Sequence, residues 1–447
     1  MFCQEKVLQY LLFCACSVCM LQCGFNDGWT SFALPQLQGN NSRISLTNDE
    51  GSWLTSTYPI GSIFGSLLIV VTMDVFGRKT TLLIGSLPFC GTWLLIAYAR
   101  QYWKLVVARF IAGLCDGVIF SCVPVYLAEV CNSNIRGFLI TGCKIFYVVG
   151  ILSVNLLGEF FNIKIAGVIC SALSLGVLLC LLVPESPYFY MIKKDDKKAQ
   201  TSMEKYNKNA KIETLRHELN EQKARDGKWL ELFVESSNRK KLLLVIALKL
   251  FQQFSGYMCF TYYAHAVFLE MKNGNSPIIF VSIYYVLQII MLIINGMIID
   301  KIGRRPLIAV STLTVVVGLF IVSVYFCLQN AMKINVTDYS WYSVFGLFIF
   351  IIGYTLGLQN IPDIIISEIF PLHVKSLAVS ICGIIFCLSM TAVAKLFQYT
   401  RDEFGIHVPF IIFTICTLCS LPIFVLFVPE TKRKTLEDIE KSMRNIA

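Results

Sequence analysis

Charge is scarce in this chain. Only 15% of its 447 residues are charged, against 56% hydrophobic and 13% aromatic, and the mean hydropathy is +0.65. That balance supplies more apolar surface than a water-soluble core can bury. Histidine is rarer still, at 4 residues. No nucleophile and base set, glycine-rich phosphate loop or metal-ligand spacing is evident, which argues against an enzyme, a metal centre and a bound cofactor. The 18 cysteines do not change this, because residues such as Cys14, Cys16, Cys19, Cys170 and Cys387 sit inside apolar runs and read as small buried hydrophobes. A channel is disfavoured too, since no run carries a repeated ring-forming polar motif.

What is present is a series of apolar runs of roughly 20 residues, the length that crosses the hydrocarbon of a bilayer. They begin near Leu8, Trp53, Thr80, Tyr102, Gly137 and Ile165, and again near Lys241, Pro277, Leu307, Trp341, Val374 and Val408. Long, continuous and not alternating, they are helices rather than barrel strands. The expectation is an all-α membrane protein of twelve transmembrane helices in two six-helix halves. Residues 1–183 form the first half, 184–240 a cytoplasmic loop with short helices, 241–428 the second half and 429–447 a tail. Its partners are membrane lipids and a small-molecule solute, with no nucleic acid.

The net charge of +9 is placed where topology needs it. Basic residues gather at Arg78-Lys79, across the long break with Lys193, Lys194, Lys197, Lys198 and Arg239 to Lys241, from Lys301 to Arg305, and from Lys432 to Lys434. The positive-inside rule makes those loops and both termini cytoplasmic. The sequons at Asn40 and Asn335 then fall outside, as glycosylation acceptors must. The first run could serve instead as a signal peptide, but it reaches towards Phe25 without a clear cleavage site.

A polar motif set is repeated at the cytoplasmic edge of corresponding helices. Asp74-Val75-Phe76-Gly77-Arg78-Lys79 follows the second helix and Asp300-Lys301-Ile302-Gly303-Arg304-Arg305 the eighth. One offset separates both Glu129 from Arg136 and Glu368 from Lys375. Each half closes on a related tetrapeptide, Pro184-Glu185-Ser186-Pro187 or Pro429-Glu430-Thr431-Lys432. Together with Pro124-Val125-Tyr126-Leu127-Ala128-Glu129, Gln252-Gln253-Phe254-Ser255-Gly256 and Ser367-Glu368-Ile369-Phe370-Pro371, this order of motifs resembles the sugar porters of the major facilitator superfamily along nearly the whole chain. Trp29-Thr30-Ser31, Gln288 and Thr391-Ala392-Val393-Ala394-Lys395 are most similar to the insect branch that includes facilitated trehalose transporters.

The resemblance implies a facilitative carrier of a sugar, trehalose or hexose, working by alternating access in the plasma membrane. Asp74, Arg78, Glu129, Arg136, Glu185, Asp300, Arg304, Arg305, Glu368, Lys375 and Glu430 would form cytoplasmic ion pairs that part when that side opens. A glycine at 77 and 303 permits the tight loop, and an arginine fork suits two-point binding of a carboxylate. An exposed pair contributes only about 0–1 kcal/mol, so a network is needed to bias the populations.

A sugar needs amides beside aromatic rings. Gln252, Gln253 and Gln288 are the implied contacts, and Tyr262 and Tyr263 would close the outer side. For Gln252 and Gln253, interhelical hydrogen bonding is the competing structural role. The sequence departs from the family elsewhere: Met258 replaces an asparagine, Asp363 a tryptophan, Phe386-Cys387 an asparagine-tryptophan pair, and Lys144 a glutamine. Lys144 lies two turns beyond Arg136, roughly 12 Å into the bilayer, and an intramembrane charge is costly unless paired or hydrated. Either Lys144 interacts with Asp363, which would narrow the site or recognise a charged or zwitterionic solute, or Lys144 is hydrated or on a carbonyl and Asp363 hydrated or protonated; a non-transporting sensor that keeps the fold is a further alternative. Asp27, Asp116 and Lys249 are further ionisable residues within the runs. Asn26 stands where proton-linked relatives have a carboxylate, which favours facilitated diffusion.

Overall fold

The computed structural model describes residues 2–39, 44–131, 133–206, 231–271, 276–370 and 372–431, and among them the regular structure is helical. The chain divides into two compact units, Met1–Asp226 and Gly227–Ala447. Among the described residues, eleven helical stretches have the length and hydropathy to cross a membrane. With Asn48–Phe76, a helix of 29 residues, they make the twelve spans expected from the sequence.

In the first unit the spans are Phe2–Gln38, Asn48–Phe76, Arg78–Tyr98, Tyr102–Val130, Ser133–Phe160 and Ile163–Leu182, numbered one to six. Local chemistry marks their ends. Thr47 starts span two with a reciprocal cap, in which Glu50 N donates to Thr47 Oγ1 at 3.2 Å and Thr47 N to Glu50 Oε2 at 3.0 Å. Span two packs along span four, and span one along span five. Glycine permits the close approach, because a Cβ on Gly113 would run into the Tyr58 carbonyl.

Beyond span six, two short helices, Pro187–Ile192 and Asp196–Tyr206, fold back onto the unit. Ser202 Oγ donates to the Glu185 carbonyl at 2.5 Å and Tyr206 Oη to that of Pro184 at 2.7 Å. Both helices fall within residues 184–240. Residues 207–230 of this loop lie outside the described residues.

The second unit continues with spans seven to twelve. Span seven is Ser236–Phe254 plus Tyr257–Glu270, span eight Pro277–Ile302 and span nine Arg304–Phe326. Span ten runs from Ser340 to Ile369 in pieces, span eleven is Leu372–Phe404 and span twelve His407–Phe427.

Two of these spans are interrupted at depth, where irregular backbone survives only if it is buried in protein or lines water. Span seven breaks at Ser255-Gly256. Gly256 has φ +86°, and a Cβ there would come within 2.5 Å of the Phe413 ring. Span ten loosens into a π-helical turn at Tyr354–Leu358 and resumes at Ile361 before Pro362. The two breaks lie side by side, with Tyr257 stacked on Tyr354 at 4.3 Å between centroids.

Candidate functional site

The duplicated motif builds the same cluster twice, once within each unit. In the first, Gly77 (φ +88°) turns the chain out of span two so that span three starts with its backbone amides exposed to Glu185. Arg78 N donates to Glu185 Oε1 at 2.8 Å and Lys79 N to the same oxygen at 3.0 Å. A carboxylate on a helix N-terminus satisfies orphan donors and meets the positive end of the dipole. The Arg78 side chain takes a second carboxylate two-pronged, Nε to Glu129 Oε2 at 2.9 Å and Nη2 to Oε1 at 2.8 Å. Its Nη1 reaches the Met73 carbonyl at 3.2 Å and lies 3.8 Å from Asp74 Oδ1.

The second cluster repeats this plan. Arg304 N and Arg305 N donate to Glu430 Oε1 and Oε2 at 3.1 and 3.2 Å. Arg304 Nη2 binds Glu368 Oε1 at 3.0 Å, and its Nη1 the Ile299 carbonyl at 3.4 Å. The next cation in each motif caps the end of another span, with Lys79 Nζ on the Leu181 carbonyl and Arg305 Nε on that of Val425, both at 2.8 Å.

A hydroxyl that the sequence did not single out adds to the arginine-bound carboxylate of each cluster. Ser186 Oγ donates to Glu129 Oε2, and Thr431 Oγ1 to Glu368 Oε2, each at 2.5 Å. The signal was a hydroxyl directly after the glutamate of both tetrapeptides. Arg136 instead donates to the Cys131 carbonyl at 3.4 Å. The side chains of Asp300 and Lys375 lie outside the described residues, as does Asn40. Asn335 is exposed, and its Oδ1 accepts from Thr337 N at 3.2 Å.

One magnitude changes. The Arg78 and Glu129 side chains are only 8% and 11% exposed, so the small energy of an exposed pair does not apply and the rules for buried charge do.

The solute-facing expectations centre on span seven. Gln252 is committed to the protein at both ends of its amide. Its Nε2 donates to the carbonyls of Leu358 and Gln359, at 2.9 Å each, and its Oε1 is 3.3 Å from Lys249 Nζ. The reason lies in span ten: Pro362 has no N–H for the carbonyl four residues earlier, that of Leu358, and Gln252 supplies the missing donor. Gln252→Ala is therefore expected to destabilise the protein by about 1–3 kcal/mol. A melt followed by a thiol-reactive dye, which reports exposure of the buried cysteines, reads this as a lowered midpoint; an unchanged midpoint would remove the role of Gln252 in supporting span ten.

Gln253, its neighbour, is fully buried, and among the described residues neither Oε1 nor Nε2 has a hydrogen-bond partner. Gln288 Nε2 donates to Tyr257 Oη at 2.9 Å and lies 3.4 Å from Gln359 Oε1. Met258, Tyr262 and Tyr263 are buried, and Tyr263 stacks on Phe397 at 5.1 Å. Asp363 lies beside Lys249, with Oδ1 2.6 Å from Nζ, in an ion pair within the second unit. Lys144 is half-buried in span five of the first unit. The sequence placed Lys249 in a span but did not match it to Asp363.

Spans one, two, four and five of the first unit share a further set of buried polar groups. Fully buried Arg109 donates from Nη1 to the Asn26 carbonyl at 2.6 Å, with its guanidinium 4.3 Å from the Tyr58 ring centroid. Tyr147 Oη donates to Asp27 Oδ2 at 2.8 Å, and Ser62 Oγ to Asp116 Oδ2 at 3.2 Å.

Comparison with known proteins agrees with this architecture. Residues 11–443 match the family described as sugar (and other) transporter. The facilitated trehalose transporter Tret1 of Anopheles gambiae is 28% identical, over 94% of this chain and 54% of the relative. That of Apis mellifera ligustica is 27% identical, over 97% and 88%. The chain thus spans about half the length of the mosquito relative. Among solved structures, the inward open xylose transporter XylE from E. coli superposes with a TM-score of 0.80 at 20% identity, over 97% of this chain and 99% of that one. The proton:xylose symporter XylE bound to 6-bromo-6-deoxy-D-glucose gives 0.78 at 21%, over 98% and 100%. These likenesses establish the twelve-helix major facilitator fold.

Proposed function

The chain belongs to the sugar (and other) transporter family, and we propose that it is a facilitative carrier that moves a sugar, trehalose or a hexose, by alternating access. The observation that carries the substrate class is Gln253. A buried amide with no partner costs about 1–3 kcal/mol, and a polyol, whose hydroxyls both donate and accept, can meet both its ends. The trehalose transporters among the relatives add weight to a sugar.

Facilitated diffusion is favoured over proton coupling by Asn26, an amide where proton-linked relatives hold a carboxylate. The neighbouring Asp27 is engaged by Tyr147. The protein is a multi-pass membrane protein; the plasma membrane is its proposed location, with both termini and the Arg78 and Arg304 clusters on the cytoplasmic side. The positive charge of those loops supports that orientation. Residues 1–183 and 241–428 are the proposed halves, 184–240 and 429–447 being the connecting loop and tail.

Gln253→Ala is expected to raise the KM for sugar uptake in proteoliposomes by about tenfold or more, with the melting midpoint unchanged or higher, because an unsatisfied amide has been removed. An unchanged KM in a well-folded variant would remove Gln253 from the site.

A further inference from the structure

The backbone of span ten slips in register at its π-helical turn, and the group that fills the slip comes from span nine. The turn Tyr354–Leu358 holds one residue more than an α-helical turn. The Tyr354 carbonyl, whose α-helical donor would be Leu358 N, accepts instead from Gln359 N at 2.9 Å. Leu358 N is thereby turned out of the ladder and donates to Ser311 Oγ at 2.8 Å, while the Ser311 hydroxyl donates to the Gly353 carbonyl at 2.7 Å. A side chain of span nine thus stands inside the hydrogen-bond ladder of span ten.

The packing is shaped for this insertion. Ser311 is fully buried. A Cβ on Gly357 would lie 2.8 Å from Ser311 Cβ, and one on Gly353 2.8 Å from Thr314 Cβ, so glycine at both positions lets the two spans close up. Spans seven and eight brace the same break in another way. Gln252 donates to the carbonyls of Leu358 and Gln359, and Asn295 Nδ2 to that of Leu356, with Asn295 Oδ1 accepting from Asn360 Nδ2 at 3.2 Å. Those amides serve carbonyls, whereas Ser311 takes the freed N–H as well as a carbonyl.

The offset governs what comes after it. The helix Ile361–Ile369 carries Glu368, which meets Arg304 Nη2 at 3.0 Å. Without the serine oxygen, Leu358 N has no acceptor in a dry span, and the backbone recovers one by closing the turn to the α-helical register, with Leu358 N on the Tyr354 carbonyl. Losing one residue of offset turns the following helix by about 100° and moves it by about 1.5 Å, which carries Glu368 away from Arg304.

Resting on the sugar-carrier reading, we infer that Ser311 is a positioning residue of the carrier: its hydroxyl holds the extra residue of the π-turn and so aims Glu368 at Arg304. It acts through the backbone of span ten and not on a solute. The Arg304 cluster is therefore tied to a neutral side chain in another part of the unit, and a change at Ser311 loosens that cluster with none of its charges altered.

The test is the initial rate of uptake of labelled glucose and trehalose by the full-length protein in proteoliposomes, with a thiol-dye melt of every variant. Ser311→Ala is expected to lower the rate by about tenfold or more. Glu368→Gln is expected to lower it too, and Ser311→Ala/Glu368→Gln to be no slower than the slower of the two single variants, because both changes break the same pair. Ser311→Cys, whose thiol is a weak donor and acceptor, should fall between wild type and Ser311→Ala. If the alanine variant melts too low to assay, the same cycle built on Ser311→Cys carries the test.

Ser311→Ala with a normal melt and the wild-type rate would overturn the assignment while leaving the sugar carrier standing. So would a slowed Ser311→Ala whose loss multiplies in full with that of Glu368→Gln, which would confine the hydroxyl to local packing. Wild type that takes up no sugar at all would remove the underlying reading, and this inference with it.

Discussion

Arg78→Ala is expected to lower stability by about 3–5 kcal/mol, because it strands a buried carboxylate. Glu129 loses the two-pronged guanidinium and keeps only the Ser186 hydroxyl, while the Met73 carbonyl at the end of span two loses a donor. A thiol-dye melt should show the midpoint falling by on the order of 10 °C. Arg78→Lys should recover only part of this, since an ammonium keeps the charge without the planar fork. Arg304→Ala is expected to cost less, because its side chain meets Glu368 through one nitrogen, and Glu368 at 28% exposed is better hydrated than Glu129. Equal midpoints for wild type and Arg78→Ala would mean that the cluster is a topology signal alone.

Gly77→Ala and Gly303→Ala are expected to be nearly as damaging for a different reason. Both residues have positive φ, +88° and +105°, with ψ of 170° and 162°. That region is essentially confined to glycine and costs other residues of order 1–3 kcal/mol. The added methyl also has nowhere to go. At Gly77 it would collide with Glu185 Oε2, and at Gly303 it would come within 2.6 Å of Glu430 Oε2. Each substitution therefore strains the turn and expels the carboxylate from the amides of the following helix. The double variants Gly77→Ala/Glu185→Ala and Gly303→Ala/Glu430→Ala separate the two effects. If the collision matters, adding the second change costs less than Glu185→Ala or Glu430→Ala alone. Purely additive midpoints would leave backbone strain as the whole cause.

Much of this was legible because crossing a bilayer is a compositional demand. The number and order of spans follow from apolar length, and the duplicated Gly-Arg motifs announced themselves by recurring at matching places. Sequence also named Glu129, Glu185, Glu368 and Glu430 as acceptors for the arginines. It did not show how the labour divides, with Glu129 and Glu368 on guanidinium groups and Glu185 and Glu430 on backbone amides. That division depends on the turn at Gly77 and Gly303, which places the first amides of a helix against the tetrapeptide glutamate. Nor did sequence reveal burial, which makes the Arg78–Glu129 pair costly to break rather than marginal.

The intramembrane charges were harder to match. Lys144 drew attention as a departure from the family pattern, and Lys249, one turn before the paired glutamines, lies against Asp363 within the second unit. Sequence separation hides such pairs, since only tertiary packing brings span seven against span ten. The support that Gln252 gives to the Leu358 carbonyl left a readable trace, because Pro362 deprives that carbonyl of its helical donor. A polar side chain on a neighbouring span was then required, and the paired glutamines were the candidates with a second role already in view.

The measurement that bears most directly on the central claim is uptake of labelled trehalose and glucose by proteoliposomes of the purified protein, with and without an imposed proton gradient, for wild type and Gln253→Ala. Saturable uptake of at least one of these sugars is expected, indifferent to the gradient and strongly weakened in Gln253→Ala. Absence of saturable sugar uptake by protein that melts normally would contradict it, as would uptake that appears only when protons are driven across the membrane.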